Sequence, residues 1–134
     1  MNTRPSEFAL IAELFAPLAK DAPGAFGLTD DAAAIEPPPG HQLVVTTDCM
    51  VSGIHFREDD TAATAASRTL RSNLSDLASM GATPAGYTLA LALPRDLQLP
   101  WIEEFAATLA VDQALFSISL LGGDTVSTSG PATI

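Results

Sequence analysis

Four aspartate positions stand beside glycine, threonine or serine near the ends of the chain's regular segments: Asp30 (with Asp31), Asp48, Asp76 and Asp124. Carboxylates are hard oxygen donors, the kind that Mg²⁺ takes in octahedral geometry while keeping several waters. Thr46 and Thr47 directly precede Asp48 and add hydroxyl or carbonyl oxygens. Metal ions held this way bridge phosphate oxygens, and in phosphoryl transfer they can stand in for absent lysines. Each position also has an ordinary reading: turn residues at Asp30, Asp31 and Asp124, a cap at Asp48, a solvated helix side chain at Asp76. Taken together the four are harder to explain that way. His55, in Gly53-Ile54-His55-Phe56, has the plain reading of a loop histidine and the alternative of a ligand or base. Gly122 and Gly123 permit close backbone approach, a phosphate being one possible visitor. The glycine-rich phosphate-loop and dinucleotide patterns are absent, and no Ser-His-Asp or Cys-His arrangement stands out.

Charge narrows the classes further. Sixteen acidic residues face six basic ones, for a net charge of −10, and Lys20 is the only lysine. Nucleic-acid binding depends on basic patches, so that class is excluded. Direct capture of phosphate by side-chain cations is disfavoured for the same reason, which leaves divalent metal to do the bridging. The 134 residues read as one domain, residues 1–134, with 47% hydrophobic residues to build a core. No apolar run reaches the ~18 residues of a membrane span. The N-terminus lacks the apolar region of a signal peptide, and the single Cys49 cannot form an internal disulfide, so a cytoplasmic protein without membrane partners is expected.

The elements that must position these residues alternate between the two periodicities. Residues 1–5 read as a loose start. Ser6 caps a helix over residues 7–19 with Phe8, Ile11, Phe15 and Leu18 on one face, and Pro23-Gly24 breaks it. Residues 32–35 suggest a short strand. Residues 43–51 form the clearest strand, with Val44, Thr46 and Asp48 on one face and Val45, Thr47 and Cys49 on the other; Cys49 is expected to pack. A long helix starts at Thr61 or Ala62. Leu70, Leu74 and Leu77 give it an apolar stripe, Gly81 ends it, and Pro84 bars continuation. Asp76 borders that stripe and should need a partner. A strand over residues 86–93 is closed by Pro94, and a helix follows with Pro100 in its first turn and Ile102, Phe105 and Leu109 buried. A third strand over residues 116–121 runs into Gly122-Gly123-Asp124-Thr125. Residues 127–130 turn, and residues 131–134 look like the start of another strand. Strands alternating with helices give an α/β or α+β domain.

These motifs together resemble thiamine-monophosphate kinase. The resemblance is carried by Glu7-Phe8, Asp30-Asp31-Ala32, Thr46-Thr47-Asp48, residues 51–56 (Val-Ser-Gly-Ile-His-Phe), residues 73–84 (Asn-Leu-Ser-Asp-Leu-Ala-Ser-Met-Gly-Ala-Thr-Pro) and Gly122-Gly123-Asp124-Thr125. More distantly the chain is similar to aminoimidazole ribonucleotide synthetase, selenophosphate synthetase and the hydrogenase-maturation protein of the same fold. The resemblance implies an N-terminal domain with a mixed sheet packed on helices, paired in a homodimer through a barrel-like sheet. It implies transfer of the γ-phosphate of ATP to thiamine monophosphate, with several Mg²⁺ ions between the phosphates and a ring of aspartates. Carried over by position, Asp30, Thr46, Thr47, Asp48, Asp76 and Asp124 are the expected Mg²⁺ ligands. Gly123 and Asp124 are expected at ATP and His55 at thiamine monophosphate, with no catalytic residue assigned. Two departures qualify this. The family has Gly-x-Gly-Asp-Asp where this chain has Thr29 before Asp30, and a β-branched residue does not take positive φ cheaply, so a different loop or a displaced Asp30 is expected. The family's chain also continues into a second domain, so these residues alone are expected to bind metal and dimerise without turnover. A non-catalytic metal-binding dimerisation module, and a related enzyme with another substrate, are the alternative readings.

Overall fold

Leucines at alternate positions set the first strand. Leu89, Leu91 and Leu93 are buried while Thr88 and Ala90 are exposed, the period-two signature of a sheet with one covered face. The computed structural model describes residues 4–134. Strand β1 (Gly86–Pro94) pairs in parallel with β2 (Ser119–Thr128). Helix α3 (Leu99–Phe116) makes the crossover that a parallel pair requires. Helix α2 (Ala62–Ser79) packs on α3, and the leucines of β1 share one core with Ala62, Ala65, Ala66 and Leu70 of α2 and Ile102, Phe105 and Leu109 of α3. Residues 131–134 extend the sheet on the other side of β1. Thr133 bridges antiparallel to both Ala92 and Val51, and Met50 exchanges hydrogen bonds of 2.8 and 2.9 Å with Ile134. The architecture is α/β, as expected.

Both long helices end for legible reasons. Thr61 caps α2 by accepting the Thr64 N–H at 3.1 Å. At its other end Gly81 takes φ +67°, and the N–H groups of Gly81 and Ala82 reach back to the carbonyls of Ala78 and Leu77, each at 3.0 Å. That double closure is the Schellman arrangement, so the breaking residue does what its type allows.

Several expectations need correction. The first helix is short, α1 (Glu7–Leu10), and continues as a π turn (Ile11–Phe15) and a 3₁₀ turn (Ala16–Ala19). Its changing pitch buries Leu10, Phe15 and Leu18 and turns Phe8 out to 80% exposure, because a stripe counted at 3.6 residues per turn drifts when the pitch does not hold. Of the expected loose start, residues 1–3 lie outside the described residues. Arg4 is tied down, donating to Pro94 O at 2.9 Å and to Ser127 Oγ. Residues 32–35 are not a strand, and residues 43–51 become one only at Val51. A strand exists through its partners, and the backbone of residues 43–49 finds none among the described residues; Val45 stands 86% exposed and Cys49 is exposed, not packed. Phe116 belongs to α3, and Ser117 takes φ +54° as the left-handed cap, so the third strand starts at Ser119 and carries Gly122-Gly123-Asp124-Thr125 inside it.

Candidate functional site

The Asp30 loop is tied at its base. The Ala34 N–H donates to Gly24 O at 2.8 Å, and a Cβ on Gly24 would lie 1.9 Å from Ala34 O, so only glycine lets the two limbs meet. At the tip Phe26, Gly27 and Leu28 take φ of 51°, 65° and 58°. Thr29 then returns to φ −107°, with its hydroxyl donating to Phe26 O at 2.8 Å. Thr29 thus avoids positive φ, as a β-branched residue should, and the left-handed turn is made by the three residues before it. Asp30 follows directly and accepts the Asp31 N–H at 3.0 Å, leaving the second carboxylate oxygen without a partner among the described residues.

This loop faces β2 across a cavity of about 340 Å³. Asp30, Asp31 and Asp124 line it, with Gly122, Gly123 and Thr88 along the strands and Leu28 and Phe15 as apolar wall. Glu7, in the first turn of α1, lines it as well. Sequence spacing offered no sign of that role, since Glu7 lies far along the chain from both aspartates. The β-sheet register explains how Asp124 reaches the cavity. Tyr87 pairs with Leu120 and Thr88 with Gly122, so Leu121 is an extra residue in β2.

The second group lies around α2. Asp76 is exposed and accepts a hydrogen bond from Thr46 Oγ1 at 3.4 Å. Solvent meets most of its need for a partner, against the expectation of a carboxylate at the core's edge. The buried face of α2 is Ala62, Ala65, Ala66, Thr69 and Leu70, and Leu77 next to Asp76 is only half-buried. Thr47 and Asp48 are exposed in the extended segment before Met50. An ion pair joins α2 to α3: Arg71 Nε and Nη2 donate to Asp112 Oδ2 and Oδ1 at 3.0 and 2.7 Å. Asp112 is 1% exposed, and its hydrogen bonds and charge push the Arg71 guanidinium further above its ordinary pKa. Tyr87 sits near the same carboxylate. Burial first, then the Asp112 charge, push its phenol up.

His55 is held in a turn with three attachments. Its N–H donates to Val51 O at 2.8 Å, its Nδ1 accepts the Val51 N–H at 3.0 Å, and its carbonyl accepts from Arg68 Nη1 at 2.7 Å. Phe56, 5% exposed, anchors the turn in the core, and Gly53 makes its bend at φ +80°.

The structure thus gathers Asp30, Asp31 and Asp124 about one cavity and joins Thr46 to Asp76. Among the described residues, no three carboxylate, imidazole or thiol groups converge closely enough to hold a metal ion by themselves. The donor set is nonetheless of the right kind. It is all hard oxygen, and carboxylates this sparse suit an ion that keeps several waters and binds phosphate with its remaining positions.

Residues 29–134 match the family model described as AIR synthase related protein, N-terminal domain. The chain is 49% identical over 130 residues to the thiamine-monophosphate kinase of Caulobacter vibrioides, covering 97% of this chain and 37% of that protein. The crystal structure of thiamine-monophosphate kinase from Stenotrophomonas maltophilia K279a superposes with a TM-score of 0.78 at 41% identity, covering 96% of this chain and 40% of that one. A ThiL protein complexed with AMPPCP and TMP shares the fold, with a TM-score of 0.68 at 24% identity over 95% of this chain and 39% of that one. The chain therefore spans about two fifths of the length of the relatives it matches.

Proposed function

The chain belongs to the AIR synthase related family through its N-terminal domain, and from that premise we propose that it is the ATP- and metal-binding part of a thiamine-monophosphate kinase. The observation that carries this reading is the cavity between the Asp30 loop and β2, where three aspartates meet a pair of glycines. A triphosphate brought to a chain of net charge −10 needs cations between it and the protein. Asp30, Asp124, Asp48 and Asp76 would hold Mg²⁺, helped by Thr46 and Thr47, and those ions when bound would screen the phosphates and draw charge from the transferring group. Gly123 and Asp124 face ATP in this reading, and His55 faces the phosphate of thiamine monophosphate. The fold shared with a protein complexed with AMPPCP and TMP is consistent with both ligands.

The reaction needs little covalent help. A terminal oxygen of the thiamine monophosphate phosphate forms a bond to the γ-phosphorus, the bond to the β–γ bridging oxygen breaks, and ADP leaves with thiamine diphosphate as the product. The attacking phosphate monoester is largely dianionic at neutral pH, its second pKa being about 6, so no protein base has to remove a proton. The residues' work is to place two phosphates in line and exclude misaligned encounters. That agrees with a site of aspartates and glycines that has no nucleophile–base pair.

The segment of residues 43–49 supports dimerisation in the same reading. It is extended, Val45 is exposed, and its backbone groups have no partner among the described residues, which suits pairing with a second copy across a two-fold axis. No helix among the described residues is long and apolar enough to cross a membrane, and a cytoplasmic location fits the proposed substrates. Calorimetric titration tests the site: heat appears when Mg²⁺ and ATP are added together, and Asp124→Asn weakens that binding at least about tenfold, the loss of a charged contact. Undiminished binding in Asp124→Asn, or equal binding of ATP without Mg²⁺, overturns the metal-bridged reading.

A further inference from the structure

We infer that Arg68 is a positioning residue for His55, steadying the turn in which the Val51 N–H sets the imidazole's tautomer and orientation and tying that turn to the helix that carries Asp76. The inference rests on the reading of His55 as the contact to the phosphate of thiamine monophosphate. Its first support is chemical. The Val51 backbone N–H has only a proton to offer, so His55 Nδ1, 3.0 Å away, must be the bare nitrogen and the proton sits on Nε2. The ring is thereby a donor at its outward end, the form suited to a phosphate oxygen. An imidazole free to choose would divide its time between tautomers.

The second support is mechanical. His55 is exposed, and an exposed loop residue ordinarily rotates freely. Here its N–H and ring are both fixed to Val51, and the Gly53 N–H closes the turn on Phe56 O at 2.7 Å, so the His55 carbonyl is the group through which the turn is tied to α2. Arg68 Nη1 donates to that carbonyl at 2.7 Å, a charge-assisted bond at the short end of its range. Arg68 stands eight positions before Asp76 on α2, itself clamped to α3 through Arg71 and Asp112. One rigid helix therefore carries both the aspartate and the strut that fixes the histidine, so the donor and the carboxylate keep a constant separation.

The third support is electrostatic. Arg57 and Arg71 pair with carboxylates, Asp59 and Asp112. Arg68 pairs with a neutral carbonyl, and no carboxylate lies within salt-bridge distance of it among the described residues. Its charge is left uncompensated beside the turn, on a chain of net charge −10 that would otherwise repel an anionic substrate.

Two measurements on the complete protein test this. The first is the imidazole ¹⁵N spectrum of histidine-labelled protein without substrate, with the His55 signals identified by their loss in His55→Gln. Wild type shows a single Nε2–H tautomer for His55. Arg68→Ala collapses it to the averaged pattern of free imidazole while His41 is unmoved, and Arg68→Lys restores most of it. The second is steady-state kinetics, in which Arg68→Ala raises KM for thiamine monophosphate about tenfold, the loss of one charge-assisted contact, with KM for ATP nearly constant. An unchanged His55 spectrum in Arg68→Ala overturns the inference whatever the kinetics show. If the ring is released in Arg68→Ala but His55→Gln leaves KM for thiamine monophosphate unchanged, the positioning role stands and the substrate contact at His55 falls.

Discussion

Replacing Gly123 with alanine offers a sharp test of how β1 and β2 meet. An added Cβ would lie 1.8 Å from Leu89 O, 2.6 Å from Leu89 C and 3.0 Å from Leu89 N, all of them backbone atoms of the paired strand. No side-chain rotamer relieves that contact, so the strands must part. Reaching even the 3.0 Å below which Cβ contacts are essentially never seen needs 1.2 Å of separation, the difference between 3.0 and 1.8. Sheet hydrogen bonds near 2.9 Å would stretch past 4 Å, where about two of them are lost at roughly 1 kcal/mol each. Disturbing the core beneath Leu89 adds about 1–3 kcal/mol, and removing a glycine from the unfolded chain returns about 0.4–1 kcal/mol. The net cost is about 3 kcal/mol, a large part of the roughly 5–15 kcal/mol that holds a domain folded. Gly122 is the control, because a Cβ there meets nothing within 4 Å. Urea unfolding followed by circular dichroism should show a much lower midpoint for Gly123→Ala, with Gly122→Ala at or slightly above wild type. Equal midpoints for the two variants would refute the close-approach argument, and with it the structural reason for glycine at 123.

Two further predictions concern the seam between α2, α3 and β1. The Tyr87 hydroxyl is buried and has no hydrogen-bond partner among the described residues, so Tyr87→Phe should stabilise the fold by about 1 kcal/mol, read as a higher thermal midpoint. Because burial and then the Asp112 charge raise the folded phenol's pKa, the unfolded chain loses its proton first, near pH 10. Wild-type stability should therefore fall as pH rises past 10, and Tyr87→Phe should lack that fall; a persisting slope would assign it elsewhere. Asp112→Asn keeps the shape but loses the charged half of two hydrogen bonds at a site 1% exposed, and should cost about 2 kcal/mol in denaturant unfolding. Arg57→Ala, which breaks the exposed pair with Asp59, should leave the midpoint unchanged.

What the sequence made legible was local. Ser6 as a cap, Gly81 as a left-handed stop, Pro100 in a first turn and the buried trio Ile102, Phe105 and Leu109 all follow from one residue type at one place, and all appear as read. What it hid was partnership. Residues 43–51 carry strong β-branched character, yet a strand is a relation between two segments, and among the described residues only Met50 and Val51 find theirs, in Ile134 and Thr133. The path of the Asp30 loop was hidden for a similar reason. Positive φ at Phe26, Gly27 and Leu28 completes the turn before Thr29, and nothing in a residue's type announces which of its neighbours will take the strained conformation. The resemblance named the candidate site residues, and physical patterning alone reached only as far as a set of aspartates suited to Mg²⁺.

The bulge in β2 shows why such a site is hard to read from periodicity. In a regular strand Asp124 shares a face with Leu120, and Leu120 is 2% exposed against the core. A period-two reading would therefore bury the carboxylate among leucines, an arrangement that costs several kcal/mol unless it is paired. Leu121 resolves the conflict by dropping out of the ladder. After it the buried parity changes, so that Thr125 turns inward at 7% exposure and Asp124 comes out on the open face. Gly86 makes the displacement possible, since a Cβ there would meet the Leu121 side chain at 2.8 Å. The glycines at 86, 122 and 123 divide the work. Gly86 gives the bulged leucine room, Gly123 lets the strands close again beneath it, and Gly122 leaves the surface beside Asp124 clear. One extra residue thus lets a single strand serve a hydrophobic core at its beginning and present a carboxylate to the cavity beside the Asp30 loop a few residues later.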